Sequence, residues 1–152
     1  MNVERILEVL HEWCPLAELE TASAPLDEVF VSLPPAYLRV AVQLLTERFG
    51  IYHLSTITGQ DLDGRIELLY HFWEGQGLTL RVDLPRERAR VDTLVDLIPG
   101  VAFYEREVSE MLHVTFAGHA DMQPMFLSDD WGGEPPLRRE FTGGNEQEGD
   151  NS

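Results

Sequence analysis

Apolar residues recur at helical spacing at the start of the chain and again after a proline pair. The first segment predicts an amphipathic helix that begins near Val3 and ends before Pro15. The second predicts a helix that follows Pro34 and Pro35 and ends at Gly50, a natural left-handed cap. Its apolar positions share one helix face: Leu38, Ala41, Val42, Leu45 and Phe49.

Alternating apolar and polar residues predict four strands. One spans residues 28–33, and three follow the second helix at 51–58, 65–73 and 78–84, with turns at 61–64 and 74–77. A short helix over 91–98 and a longer one over 101–113 complete the regular part. The apolar face of the longer helix is predicted to hold four residues: Tyr104, Val108, Met111 and Leu112. This order predicts an α+β, two-layer domain with helices on one face of a small mixed β-sheet.

Regular spacing ends after residue 114, although large apolar residues continue to residue 141. These have no helical or strand period: Phe116, Met122, Met125, Phe126, Leu127, Trp131, Leu137 and Phe141. The pattern predicts an α+β domain at 1–114, an extended irregular C-terminal arm at 115–141 and a disordered acidic tail at 142–152. The apolar groups of the arm need cover from their own domain or from another protein, and composition leaves both open.

Composition narrows the class of partner. The 152 residues carry a formal net charge of -16, which excludes nucleic acid as a partner and disfavours an anionic membrane surface.

A single cysteine, Cys14, excludes an intramolecular disulfide and a self-contained iron–sulfur cluster, and it is predicted to be a small buried hydrophobe. We find no membrane-spanning apolar segment and no secretory signal, so a cytoplasmic location is expected.

The C-terminal third carries several separated blocks in a defined order. They are Tyr104-Glu105-Arg106-Glu107-Val108, then Phe116, Gly118-His119, Asp129-Asp130-Trp131, Pro136-Leu137-Arg138-Arg139 and Phe141. Together these blocks resemble the C-terminal signature of the thirty-kilodalton subunit (the C-subunit) of respiratory complex I, or NADH–quinone oxidoreductase. Related subunits occur in energy-converting hydrogenases and F(420)H(2) dehydrogenases. The motif match covers about residues 98–141, and the upstream order of helices and strands is compatible with the fold of that family.

The resemblance implies a non-catalytic structural and assembly subunit, with no cofactor of its own. Its expected partners are the large hydrogenase-like subunit, of the forty-nine-kilodalton type, and the small subunit, and the iron–sulfur clusters belong to partner subunits. The implied location is peripheral, on the cytoplasmic side of the cell membrane. Departures from the family pattern include His113 in place of Gly and Ala120 in place of Pro. They favour a divergent branch, of hydrogenase or archaeal type, and leave the electron donor open.

The resemblance also implies which residues meet the partners. The predicted partner interface is Tyr104, Glu105, Arg106, Glu107, Glu110, Phe116, His119, Asp129, Asp130, Trp131, Pro136, Leu137, Arg138, Arg139 and Phe141. Trp131 is the expected anchor, because buried aromatic residues dominate interface energies. The charged residues of the helix are interpreted as a structural polar network at the meeting point of helix, arm and partner. As a catalytic pair, Glu105 and Glu107 would point about 200° apart on a helix, which disfavours acid–base chemistry.

Two alternatives from other classes stay open. His113, His119 and Asp121 could supply three ligands to a catalytic metal in a small stand-alone enzyme, although their spacing matches no zinc motif. The chain could also be a free-standing acidic binding module whose arm folds back on its own domain. Self-association of the isolated chain is open as well.

Overall fold

The computed structural model describes residues 2–15, 18–21 and 28–118. The helices are α1 (Val3–Trp13), α2 (Leu38–Phe49) and α3 (Val101–Leu112). The strands are β1 (Glu18–Thr21), β2 (Val29–Ser32), β3 (Leu54–Leu62), β4 (Arg65–Trp73), β5 (Gly77–Pro85), β6 (Arg90–Asp92) and β7 (Thr115–Ala117). Single 3-10 turns, Pro35–Tyr37 and Arg86–Arg88, precede α2 and β6. The predicted α+β class is confirmed.

Five strands form one mixed sheet in the order β1-β2-β5-β4-β3. β3, β4 and β5 make an antiparallel meander, and β2 joins β5 in parallel. β6 and β7 form a separate parallel pair whose connection is α3. The mixed sheet predicted from the clustering of strands is therefore present, with a second small sheet beside it.

One face of the main sheet supplies most of the core. Alternate side chains of β4 and β5 point to this face and are at most 2% exposed: Ile66, Leu68, Tyr70, Phe72, Leu78, Leu80, Val82 and Leu84. α3 packs over β3, and buried residues of all three helices join the same apolar cluster. Each large apolar side chain buried in this way contributes about 1.5–3 kcal/mol of transfer free energy. The other face carries polar groups, among them His71 between Thr58 and Thr79.

The first two helices begin and end as predicted. The Asn2 side chain caps α1 by accepting a hydrogen bond from the Arg5 amide at 3.1 Å. Gly50 ends α2 in the left-handed region at φ 65°. Cys14 is fully buried, as predicted, and burial raises the pKa of its thiol.

The predicted helix over residues 91–98 is wrong. Arg90–Asp92 form β6, which pairs with β7, and the chain then turns. The Leu94 carbonyl accepts hydrogen bonds from the Leu97 and Ile98 amides at 2.9 and 3.0 Å. The apolar spacing of this segment reflects burial of Val91, Leu94 and Ile98 beneath a strand and a turn rather than one helix face.

Two boundaries also differ from the predictions. The strand predicted at 51–58 lies at Leu54–Leu62, and the turn predicted at 61–64 is reduced to Asp63 and Gly64 because Leu62 still pairs with Arg65. The start of the predicted arm, Thr115–Ala117, is strand β7. The rest of the predicted arm and the predicted tail lie outside the described residues. No helix within the described ranges is long and apolar enough to cross a membrane.

Candidate functional site

The signature residues that the structure describes lie on α3 and β7. Five of the predicted interface residues are on α3: Tyr104, Glu105, Arg106, Glu107 and Glu110. Phe116, on β7, is buried. The other predicted interface residues lie outside the described residues: His119, Asp129, Asp130, Trp131, Pro136, Leu137, Arg138, Arg139 and Phe141. Their role in contacting a partner stays a prediction.

Glu105 is fully buried and holds the segment that follows β6. Its carboxylate accepts hydrogen bonds from the Thr93 hydroxyl at 2.6 Å and from the Leu94 amide at 2.8 Å. The Thr93 hydroxyl oxygen in turn accepts from the Val95 amide at 3.2 Å. A buried carboxylate is costly without donors, and hydrogen bonds to a charged group contribute about 1.5–3 kcal/mol each. Glu105 thus fastens α3 to the turn after β6.

The same turn is also held by α2. Arg39 donates to the Thr93 carbonyl at 2.7 Å, and its two terminal nitrogens donate to both Asp96 oxygens at 2.8 and 2.9 Å. This hydrogen-bonded pair lowers the pKa of the Asp96 carboxyl and raises the pKa of the Arg39 guanidinium. We call the set Arg39, Thr93, Asp96 and Glu105 the C-terminal junction.

The last described residues of the chain, Ala117 and Gly118, lie beside the C-terminal junction. The Ala117 carbonyl accepts from the Thr93 amide at 2.9 Å, which extends the pairing of β6 and β7 by one bond. Gly118 has φ 90°, and a Cβ there would lie 3.2 Å from the Thr93 methyl group, so this position favours glycine. A groove of about 360 Å³ opens here, and its lining includes Arg39, Asp96 and Gly118. The residues that follow therefore start from a fixed point.

The buried face of α3 differs from the predicted one. Val101, Glu105, Val108 and Leu112 are the buried residues, at i, i+4, i+7 and i+11. Tyr104 and Met111, which were predicted on the apolar face, are half-buried instead. The sequence contains a pattern that could have predicted the burial of Glu105. Val101, Val108 and Leu112 form one apolar stripe on the helix, and residue 105 lies at its centre.

The remaining charges of α3 lie at its border with solvent. Arg106, Glu107 and Glu110 are half-buried, whereas Glu105 points into the core. The hydrogen bonds of Glu105 to Thr93 and Leu94 lie within the domain, and its predicted role at a partner interface stays a prediction. A catalytic acid–base pair of Glu105 and Glu107 fits this geometry poorly, because Glu105 is buried and a general acid or base must reach its substrate.

α3 ends at His113, which adopts a left-handed conformation with φ 62°. Its amide donates to the Ser109 carbonyl at 2.9 Å, as in a helix cap that normally holds glycine. This is the position at which the family pattern has Gly. His119 and Asp121 lie outside the described residues, so the proposed metal trio stays untested. Among the described residues, no three His, Cys, Asp or Glu side chains are placed to hold a metal.

Sequence reasoning missed three members of the junction. Arg39, Thr93 and Asp96 belong to no motif, and Arg39 lies 54 residues from the carbonyl that it contacts. Only the fold brings α2 and the turn after β6 together.

Comparison with known proteins extends these observations. Residues 31–147 match the family described as respiratory-chain NADH dehydrogenase, 30 Kd subunit. The NADH-quinone oxidoreductase C-subunit of Moorella thermoacetica is 32% identical over 114 residues, which cover 72% of this chain and 76% of that protein. The F(420)H(2) dehydrogenase C-subunit of Methanosarcina mazei is 33% identical over 96 residues, which cover 60% of this chain and 61% of that protein.

Two solved structures share the fold. A trypsin-resistant fragment of Nqo5 is 26% identical, with a TM-score of 0.67, over 80% of this chain and 99% of the fragment. A chain of the membrane-bound sulfane sulfur reductase, described as an archaeal respiratory membrane complex, is 25% identical, with a TM-score of 0.83. That match covers 100% of this chain and 93% of the other.

Proposed function

This chain belongs to the respiratory-chain NADH dehydrogenase 30 kDa subunit family, and we propose that it is a non-catalytic docking subunit of a complex I-like oxidoreductase. In this role it holds a large hydrogenase-like subunit and a cluster-bearing small subunit together in the hydrophilic part of the complex. It has partner subunits, as the members of a multi-subunit respiratory complex do. It carries no cofactor, and the iron–sulfur clusters belong to its partners.

The observation that carries the proposal is the extent of the family match. The matched region, 31–147, runs from β2 through α3, across the whole of the predicted arm and into the predicted tail. The C-terminal junction supports the same role, because Glu105 and Arg39 both serve to fix the point from which the arm continues. A rigid platform of this kind lowers the entropy that a partner-binding segment loses when it is ordered.

The proposed location is peripheral, on the cytoplasmic side of the cell membrane, reached through the partner subunits. The relatives support attachment to a membrane complex, since one solved neighbour is described as a respiratory membrane complex. The formal net charge of -16 argues against direct binding to an anionic bilayer. The electron donor is set by the companion subunits, of NADH, F(420)H(2) or hydrogenase type.

Purification of the tagged chain from its own host in mild detergent, followed by mass spectrometry, tests the proposal. A hydrogenase-like large subunit and a cluster-bearing small subunit are expected to copurify in stoichiometric amounts, and their identity names the donor. A chain that is recovered alone and homogeneous would refute the docking role.

Trp131→Ala tests the predicted anchor. Loss of an aromatic hot spot costs about 2 kcal/mol or more, roughly 30-fold in affinity, so the copurified large subunit should fall while the circular dichroism of the domain is unchanged. Trp73→Ala is the matched control, because Trp73 is an exposed tryptophan at the end of β4. Equal recovery of the large subunit with both variants would show that Trp131 is not an anchor.

A further inference from the structure

β3 is the longer of the two edge strands of the main sheet. It spans nine residues, whereas the other edge strand, β1, spans four. Among the described residues β3 pairs only with β4, so its outer side has backbone groups without a strand partner. A long free edge tends to pair with another chain unless something covers it.

The register shows which residues of β3 face outward. The hairpin between β3 and β4 closes on Leu62 and Arg65 through a two-residue turn, which makes them a hydrogen-bonded pair. Arg65 pairs on its other side with Pro85, which has no N–H, as expected where no ladder bond is made. Bonded positions alternate along β3, so Ile57 and Gly59 direct their N–H and C=O groups away from β4.

The outward positions border an apolar groove between β3 and α3. The groove has a volume of about 290 Å³, and its lining includes Ile57 and Gly59 from β3 and Val108, Met111 and Leu112 from α3. The Leu112 side chain packs directly against Gly59, where a Cβ would lie 2.5 Å from a Leu112 methyl carbon, so the glycine lets α3 approach β3 closely at one end of the groove. At roughly 30 Å³ for each liquid water, the groove has room for a large apolar side chain.

Glu107, on α3, contributes a carboxylate to the rim of the groove. A second copy of the chain would bring the same carboxylate and a charge of -16 to the groove. An occupant with Arg or Lys beside its apolar residue complements the rim instead.

We propose that β3 and the groove bind an extended segment of a partner subunit, which adds a strand to the sheet edge. The segment forms backbone hydrogen bonds with Ile57 and Gly59, places one apolar side chain between Val108 and Met111, and sets a neighbouring basic residue against Glu107. This mode of recognition takes affinity from the backbone and specificity from the pocket. The inference rests on the proposed docking function and names a second contact, separate from the predicted arm.

The register shift between Leu54 and Thr56 sets one limit of the binding edge. The shift disrupts regular pairing at the start of β3, whereas pairing with β4 is continuous from Thr56 to Leu62. Irregular backbone of this kind is a common protection of sheet edges. The regular part is therefore the part that can accept another strand.

Residue-resolved hydrogen exchange on the complex purified from the host, and on the isolated chain at concentrations where it is monomeric, tests the proposal. The Ile57 and Gly59 amides are expected to exchange at least about tenfold more slowly in the complex than in the isolated chain. The Thr58 and Gln60 amides, which face β4, are the internal control and should be protected in both.

The outcomes separate the two proposals. Partners that copurify while Ile57 and Gly59 stay unprotected would overturn the strand addition and leave the docking function standing. A chain recovered without partners would overturn the docking function itself. Protection of both amides already in the isolated monomer would mean that the chain covers its own edge, and protection that arises only on self-association would mean that a second copy does. Either result overturns the proposal.

A charge reversal provides the second measurement. Glu107→Arg is expected to lower recovery of the partner that protects β3 by at least about tenfold and to restore fast exchange at Gly59. Glu47→Arg makes the same charge change at an exposed site on α2 and should leave both unchanged. If the two variants gave equal recovery of the partner and equal protection of Gly59, the proposed contact between a basic residue of the segment and Glu107 would be refuted.

Discussion

Replacing Glu105 with Gln tests whether a buried carboxylate holds the C-terminal junction together. Gln keeps the size of the side chain and one acceptor oxygen, which can still accept from the Leu94 amide. Its NH2 group then faces the Thr93 hydroxyl, which now donates to Glu105 and must rotate to accept instead. The substitution removes the charge from two hydrogen bonds without opening a cavity.

The expected magnitude follows from those two bonds. Hydrogen bonds to a charged group contribute about 1.5–3 kcal/mol and neutral ones about 0.5–1.5 kcal/mol, so Glu105→Gln should cost about 2 kcal/mol. Glu105→Ala leaves two buried donors without an acceptor and adds a cavity, for a loss of about 3–5 kcal/mol. Domains of this size have a total stability of only about 5–15 kcal/mol, so the alanine variant is expected to be marginal.

Urea unfolding followed by circular dichroism measures the loss. Glu107→Gln is the matched control, since Glu107 lies two residues along the helix and is half-buried; a change within about 0.5 kcal/mol is expected. In a Thr93→Val background Glu105→Gln should cost at least about 0.5 kcal/mol less, because one of the two bonds is already absent. If Glu105→Gln unfolds at the same urea concentration as the native chain, the junction does not depend on this carboxylate.

Three further changes probe other parts of the fold. His113→Gly should be about 1 kcal/mol more stable than His113→Ala, because φ 62° is strained for any side chain; equal urea midpoints would contradict this. Tyr70→Phe should leave stability unchanged or slightly higher, since the buried hydroxyl has no hydrogen-bond partner among the described residues; a loss above about 1 kcal/mol would refute it. Burial lowers the pKa of His71 below 6.5, with Glu28 acting in the opposite sense. Stability should therefore be level above about pH 6.5 and decrease as the pH falls toward the lowered value. His71→Gln should remove this pH dependence of stability. Identical stability–pH profiles for the native protein and the His71→Gln variant would show that His71 does not cause it.

Elements governed by local patterns could be predicted from the sequence. β4 was predicted with its observed bounds, because four alternating apolar residues lie between two strong turns. Gly50 and the proline pair marked both ends of α2, since capping depends on backbone conformation at single residues. In each case the deciding interactions lie within a few residues.

Elements governed by distant partners could not be predicted in this way. The spacing of apolar residues over 91–98 is compatible with a helix. Val91 nevertheless belongs to a strand, because it pairs with Phe116, which lies beyond α3 in the sequence. Glu105 is an acidic residue among charged neighbours, and only the nearby Thr93 hydroxyl and Leu94 amide explain its burial. The sequence placed Glu105 in a structural network but did not show which groups complete it.

The parallel pairing of β2 with β5 has a consequence for the order in which the chain folds. Tight turns join β3, β4 and β5, so the meander closes only short loops and can form early. Val29 meets Leu78, from which it is separated in sequence by α2, β3 and β4, so β2 must wait for β5 to be in place. Substitutions in the meander should therefore slow refolding, whereas those at Val29 or Val31 should mainly speed unfolding. The N-terminal strands would then add to a sheet that has already formed, after the rate-limiting step.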